Sequence, residues 1–115
     1  MNRMKNNNVL YLPLKKKWFD MIVSGIKKEE YREINDYWTK RLVKTEGNLI
    51  DDFTFKHFDY VEFTLGYPSA DNADARARFK FDGIEKNTGR IEWGAESGKI
   101  YYVIKIGERV KYSNE

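Results

Sequence analysis

The sequence predicts a single α+β domain in which two early helices accompany a curled, mostly antiparallel sheet. A chain of 115 residues fits one domain with its own core. Its first part shows a strand, a helix, a second strand and a second helix, whereas the part after residue 59 alternates apolar and polar residues with a period of two. Helices and antiparallel strands that are segregated along a chain are typical of an α+β fold.

The chain begins with a polar segment, residues 1–8, which we expect to be flexible, so the domain is predicted to span residues 9–112. The apolar run Val9–Leu12 is typical of a buried strand. Pro13 is tolerated in the first turn of a helix and predicts a helix over residues 14–24. Apolar residues and one glycine recur there at helical spacing, namely Leu14, Trp18, Met21, Ile22 and Gly25.

The segment after this helix contains the pattern G-x-K-x-x-E-x-R, formed by Gly25, Lys27, Glu30 and Arg32. A glycine can turn the chain out of a helix at positive φ. A strand that begins near Lys28 would place Glu30 and Arg32 on one face, about 7 Å apart along the chain. The pattern therefore predicts that three charged side chains converge where the helix ends.

A second short helix is predicted to contain Tyr37 and Arg41 and to be capped by Asn35 or Asp36. Tyr37 and Arg41 are four residues apart and so lie on one helix face. Two roles remain open for this pair: it packs structurally, or it holds a nucleobase or a phosphate.

The sequence leaves the structure of residues 45–58 open, although Gly47, Asp51 and Asp52 suggest a loop. His57 is the only histidine, and the chain has no cysteine. A zinc site needs several such ligands, so no metal site is predicted.

The rest of the chain predicts three half-buried antiparallel strands, over residues 60–65, 76–81 and 100–106. A long loop of small and turn-forming residues, 66–74, joins the first two strands. A further short strand is expected over Arg90–Trp93.

Composition and charge narrow the classes of function. The lack of cysteine excludes disulfides and thiolate metal sites and is typical of the reducing cytoplasm, where we expect the protein to act. No apolar run approaches the roughly 20 residues that cross a bilayer, and the N-terminus lacks a signal-peptide pattern, so we expect no membrane partner. Residues 1–46 carry 11 Lys and Arg against 6 Asp and Glu, whereas residues 47–115 carry 10 against 12. The basic first part is compatible with a polyanionic partner or with a solvated basic surface.

The motif of Gly25, Lys27, Glu30 and Arg32, with the helix before it and the strand Val9–Leu12 before that, resembles the signature of the ASCH (activating signal cointegrator homology) domain. ASCH domains are a branch of the PUA-like superfamily, and the resemblance covers most of this chain. It implies a small mixed or antiparallel PUA-like β-barrel with two flanking helices and a cleft lined by the motif.

The resemblance implies binding of RNA, single-stranded or modified, or of a nucleotide or nucleoside, in a basic, aromatic-lined cleft. Lys27 and Arg32 would meet a phosphate or a base edge, while Glu30 would orient Arg32 or accept from a base amino group. A base stacked on an aromatic side chain contributes about 1–3 kcal/mol. We expect no cofactor, and the candidate binding residues are Gly25, Lys27, Glu30, Tyr31, Arg32, Arg41, Tyr67, Arg76, Arg78 and Trp93.

An enzymatic alternative uses the same motif. Some ASCH-like proteins resemble amidohydrolases of N4-acetylcytidine, which implies Lys27 as a base or nucleophile with a lowered pKa. The hydroxyl residue of that family is replaced by Glu30 here, so Glu30 would serve as general base with Arg32 steadying an oxyanion. The catalytic candidates, for this activity or for a ribonuclease, are thus Lys27, Glu30 and Arg32. The distant glutamate that the family also uses could be Glu62, Glu85, Glu92 or Glu96.

Two further alternatives need no ligand cleft. The motif could form an ion-paired surface strand, in which each exposed pair contributes about 0–1 kcal/mol. The domain could also be a protein-interaction module, which a flat apolar patch would favour and a concave, basic, aromatic-lined cleft would disfavour. Burial of Lys27 would favour an enzyme, and exposure to solvent would favour a binder.

Overall fold

The fold is organised around a five-stranded sheet, and a computed structural model describes it over residues 8–46, 49–68 and 72–111. Its strands are β1 (Val9–Leu14), β2 (Glu29–Arg32), β3 (Val43–Glu46), β4 (Leu49–Phe55), β5 (Tyr60–Leu65), β6 (Arg76–Thr88) and β7 (Ile100–Val110). Helix α1 (Lys16–Val23) lies between β1 and β2, and α2 (Asp36–Leu42) lies between β2 and β3. No helix in these ranges is long and apolar enough to cross a membrane.

The five strands have the order β1-β5-β6-β7-β2, so β1 and β2 are the two edges of the sheet. β1 runs parallel to β5, whereas the other neighbours are antiparallel. β3 and β4 form a separate antiparallel pair. The result is a small α+β domain with a curled, half-barrel sheet and two helices, and this confirms the predicted class.

The curl of the sheet arises where β6 pairs with β7. The register shifts twice between Phe79 and Ile84, and Gly83 lies in this interval at φ 113°. Irregularities of this kind bend a strand and increase its twist. The two edges then come close enough for the Arg32 side chain on β2 to donate from Nη2 to the Pro13 carbonyl on β1, at 3.0 Å.

One apolar core lies between α1 and the sheet. Alternate residues of β1, namely Leu10, Leu12 and Leu14, are buried in it together with Phe19 and Ile22 of α1. Burial of an apolar side chain of this size contributes about 1.5–3 kcal/mol. Because strand residues alternate between two faces, the residues between the leucines face away from this core and towards the site described below.

The predicted start of the first helix is wrong. Pro13 and Leu14 belong to β1, where they pair with Thr64 and Leu65, and α1 begins only at Lys16. A proline is tolerated in an edge strand as well as in the first turn of a helix, because its missing N–H leaves no bond unmade in either place.

Residues 45–58, whose structure the sequence leaves open with a loop suggested, contain β4 and the end of β3. The aromatic residues Phe53 and Phe55 favour a strand and outweigh the two aspartates at 51 and 52. Residues 47 and 48 lie outside the described ranges.

Arg90–Trp93, predicted as a strand, instead leads into a 3₁₀ turn over Ile91–Trp93. The N–H groups of Trp93 and Gly94 donate to the carbonyls of Arg90 and Ile91, both at 3.0 Å. Gly94 closes the turn at φ 105°, a conformation that favours glycine.

Strict alternation fails in β5 and β7. The sequence of β5 alternates the apolar residues Val61, Phe63 and Leu65 with Tyr60, Glu62 and Thr64, yet Glu62 is buried. In β7, Tyr101 through Ile104 are all buried because both faces of the strand are covered. On one face Tyr101 and Val103 pack with Ala95 and Tyr31.

Two predictions fall partly outside the described residues. Residues 1–7 of the predicted flexible segment and residues 69–71 of the predicted loop 66–74 are not described. Asn8 is described, and its main-chain N–H donates to Asp59 Oδ2 at 3.0 Å while its side chain donates to the His57 carbonyl at 2.8 Å.

Candidate functional site

The G-x-K-x-x-E-x-R motif begins at the end of α1. Gly25 adopts φ 86°, as expected for a glycine that turns the chain out of a helix. The N–H groups of Ile26 and Lys27 both donate to the Met21 carbonyl at 3.0 Å and so complete the helix end. This turn directs Lys27 into the protein.

Lys27 is a buried cation with a complete set of acceptors. Its side chain is 1% exposed, and its Nζ lies 2.6 Å from the Glu29 carbonyl, 2.9 Å from the Trp93 carbonyl and 3.0 Å from Glu30 Oε1. Burial lowers the pKa of Lys27 from its ordinary value of 10.5, and the Glu30 carboxylate opposes part of this shift. Because an ammonium has three protons, all of them have a partner here.

Glu30 links Lys27 to Arg32, so the three charged side chains converge as the motif predicts. The second carboxylate oxygen of Glu30 lies 2.9 Å from Arg32 Nη2. The Arg32 guanidinium also lies 5.0 Å from the centre of the Trp38 ring. Its Nε is buried and has no hydrogen-bond partner among the described residues.

A second buried carboxylate is shared in the same way. Glu62 on β5 lies 3.3 Å from Arg76 Nη1 and 2.9 Å from Arg78 Nη2, and its side chain is 4% exposed. Arg76 and Arg78 are alternate residues of β6 and therefore lie on one face. In both clusters one carboxylate pairs with two cations.

A cleft of about 620 Å³ opens at the seam where the two sheet edges meet α2. Three arginines and four aromatic residues line it together with four smaller side chains: Arg32, Arg41, Arg76, Tyr11, Tyr37, Trp38, Tyr67, Leu12, Pro13, Thr64 and Pro68. No Asp or Glu stands among these described lining residues. We call this cavity the seam cleft; it is concave, basic and aromatic.

Three tyrosines of the seam cleft are unusually exposed. Tyr67 is 91% exposed, Tyr11 58% and Tyr37 56%, and no other Phe, Tyr or Trp side chain that the structure describes is exposed. The Arg41 guanidinium lies 4.6 Å from the centre of the Tyr37 ring. The rings therefore supply apolar surface on which a planar ligand could stack.

Four of the predicted binding residues, Arg32, Arg41, Tyr67 and Arg76, line the seam cleft. The Tyr37/Arg41 pair, whose role the sequence leaves open, also lies there. Tyr11, Trp38 and Thr64 are lining residues that the sequence analysis missed. Period-two alternation in β1 is a signal that could have identified Tyr11, since it lies between two buried leucines.

The other predicted site residues lie elsewhere. Gly25 forms the turn, and Lys27, Glu30, Tyr31 and Trp93 form a group around the buried ammonium, which lies 4.7 Å from the centre of the Tyr31 ring. Arg78 pairs with Glu62 and lies 5.5 Å from the centre of the Tyr60 ring. The Tyr31 ring and the Trp93 carbonyl thus contact Lys27, and neither residue lines the seam cleft.

Among the four glutamates considered as a distant catalytic partner, Glu62 is buried beside an arginine of the seam cleft. The other three form ion pairs away from it, Glu85 with Lys105, Glu92 with Arg90 and Glu96 with Lys99.

The stability of the fold should depend on pH through Tyr31. Burial, with a hydrogen bond to Glu29, raises its pKa from 10.0 to about 12, although the N–H of Arg90 that it accepts acts in the opposite direction. The unfolded chain then loses this proton at lower pH than the folded chain does. The stabilisation that Tyr31 provides is therefore complete below pH 10 and is lost as the pH rises towards 12.

Tyr31→Phe should be less stable than wild type at neutral pH, and urea unfolding should show that the difference in stability narrows between pH 10 and 12. Tyr67→Phe, at an exposed ring, is the control, and a gap that stays constant for Tyr31→Phe contradicts the prediction.

Comparison of the chain with protein-family models, with curated proteins and with solved structures found no match. The fold and the site together define the protein as a small α+β domain. It has a basic, aromatic cleft where the two edges of its curled sheet meet.

Proposed function

We propose that this protein binds RNA, single-stranded or modified, or a nucleotide or nucleoside, in the seam cleft. One observation carries the proposal: three arginines and the three exposed tyrosines converge on a single cavity that has no carboxylate among its described lining residues. Its volume of about 620 Å³ lies within the range of about 300–1,000 Å³ that is usual for small-molecule sites.

The chemistry of the lining matches both parts of a nucleotide. Guanidinium groups pair with phosphate oxygens in a planar, two-bond geometry. Tyrosine rings stack on bases without regard to sequence. Arg32 and Arg76 are held in place by the buried carboxylates of Glu30 and Glu62, which reduces the entropy lost when a ligand binds. An acceptor on the ligand that reached Arg32 Nε would also satisfy a buried donor.

The resemblance to ASCH domains supports the same proposal, because Arg32 of the motif lines the seam cleft. A PUA-like barrel is part of the proposal, and the curled sheet with its edges bridged by Arg32 is consistent with it. We place the function in the cytoplasm because a chain without cysteine suits that compartment.

The geometry favours binding over hydrolysis by Lys27, even though Lys27 is desolvated. Its three ammonium protons are all donated to protein oxygens, and it lies outside the seam cleft. A general base or nucleophile needs a free lone pair within reach of the substrate. The concave shape of the basic surface also favours a ligand over a flat protein partner.

Tyr67→Ala tests the proposal by removing the most exposed ring of the seam cleft. A fluorescein-labelled oligouridylate of about eight nucleotides should bind, and the substitution should weaken its binding about 5-fold to 100-fold, the size of one lost base stack. Fluorescence anisotropy measures both affinities. If three arginines meet phosphates, log K should fall with log salt with a slope of about −2.

Ile91→Ala is the matched control, because Ile91 is 64% exposed and does not line the seam cleft. It should bind the oligonucleotide as wild type does. Absence of binding by wild type, or equal losses in the two variants, would exclude the seam cleft as a nucleotide site. Incubation with N4-acetylcytidine followed by mass spectrometry should return unchanged substrate.

A further inference from the structure

A second cavity of about 500 Å³ continues the seam cleft along α2. The two cavities share Tyr11, Tyr37 and Arg41. The second cavity adds Lys40 and Lys56 together with one carboxylate, Asp36. It is therefore also basic, and we call the two adjacent cavities, both of which Arg41 lines, the groove.

In the described part of the chain β1 has no strand partner on the side away from β5, and this edge lies along the groove. The Leu14 carbonyl accepts from Gly66 N–H at 3.0 Å on the β5 side, so with a period of two the main-chain groups of Val9, Tyr11 and Pro13 face away from β5. The Pro13 carbonyl agrees with this, since it accepts from Arg32. At about 3.3 Å per residue, the stretch from Val9 to Pro13 is roughly 13 Å long.

We propose that the groove takes a single strand of at least two nucleotides. One base occupies the seam cleft and its neighbour occupies the second cavity, and the phosphate between them lies on Arg41. The main-chain N–H and carbonyl of Tyr11 at the junction provide a donor and an acceptor for a base edge. This inference rests on the proposed function and narrows it, since a free nucleoside would leave the second cavity empty.

An acidic peptide that extends the sheet at β1 fits the groove less well. Strand addition needs a row of free N–H and carbonyl groups. Pro13 has no N–H and its carbonyl is already bonded to Arg32, so only Val9 and Tyr11 could pair with an added strand. The tyrosine faces and the cations instead match bases and phosphates.

The test compares UMP with pUpU, which contains one more nucleotide, by titration calorimetry. Wild type should bind pUpU about fivefold or more tightly than UMP, the lower end of what one stacked base contributes. Lys40→Gln removes an exposed charge of the second cavity and should weaken pUpU about threefold to fivefold, the size of a surface charge contact, without changing UMP affinity. Lys44→Gln removes an exposed charge that lines neither cavity and should change neither affinity.

Equal affinities for UMP and pUpU, or equal losses of both in Lys40→Gln, would overturn the two-nucleotide groove while the proposed function stood. If neither UMP, pUpU nor the longer oligouridylate bound, both the two-nucleotide groove and the proposed function would be excluded. Displacement of pUpU by an oligoglutamate peptide at similar concentration would indicate that the groove binds acidic peptides, and it would also overturn the inference.

Discussion

Glu30→Ala is expected to lower the free energy of unfolding by about 3–5 kcal/mol, the usual cost of removing one partner from a buried ion pair. The substitution leaves Lys27 buried with two carbonyl acceptors but without the carboxylate that contacts its ammonium, and it also removes an ion-pair partner of Arg32. Because small domains are stable by about 5–15 kcal/mol, this is a large part of the total. Urea unfolding followed by tryptophan fluorescence measures the change.

The loss of stability in Glu30→Ala should become smaller as the pH rises. The pKa of Lys27 is already lowered by burial, and loss of the Glu30 carboxylate, which opposes that shift, should lower it further. Between that lowered pKa and 10.5 the unfolded chain binds more protons than the folded chain, so folding becomes more favourable as the pH rises. Glu30→Ala should therefore regain part of its stability between pH 7 and about 10. In a Lys27→Met background the same substitution should cost less.

Glu108→Ala is the matched control. Glu108 forms an ion pair with Lys80 at 2.9 Å, close to the Lys27–Glu30 distance, but the side chains are 73% and 57% exposed. A pair of this kind contributes about 0–1 kcal/mol. Equal losses in the two variants would mean that the buried cluster stabilises the fold no more than a surface pair does.

The buried cluster also shows how far the sequence predicts the site. The spacing of Gly25, Lys27, Glu30 and Arg32 predicts their convergence correctly, because helix termination and strand periodicity are local properties. That Lys27 is enclosed depends on the Trp93 carbonyl, 66 residues away, which no local pattern indicates. Local sequence patterns predict that the charged side chains lie close together. Which of them is exposed to solvent depends on packing against segments that are distant in the sequence.

The fold, like the site, follows from local sequence patterns only in part. The α+β class follows from the order of local patterns, but the parallel pairing of β1 with β5 joins Val9 to Tyr60 and has no local signal. The seam cleft depends on that pairing, because it places Pro13 opposite Thr64, and both residues line the cleft. Residues such as Arg41 and Tyr67 could be proposed for the site from their chemistry, whereas their common cavity is a result of tertiary structure.

Arg41→Glu is expected to produce the largest loss of binding from a single substitution. Arg41 lines both the seam cleft and the second cavity, so it is where the phosphate between two nucleotides should lie. Loss of a charged hydrogen bond together with added repulsion should cost about 2–4 kcal/mol, or roughly 30-fold to 900-fold in affinity for the labelled oligouridylate. The loss should shrink at high salt, because screening weakens both the attraction and the repulsion.

The fold should tolerate this change, because Arg41 is exposed and its described contact is with the Tyr37 ring. A negative charge in the last turn of α2 should cost at most about 1 kcal/mol through the helix dipole. Lys44→Glu reverses a nearby exposed charge outside both cavities and is the control for long-range electrostatics. If Lys44→Glu weakened binding as much as Arg41→Glu, attraction would come from the general charge of this surface. A loss confined to Arg41→Glu would identify a phosphate contact at the junction of the groove.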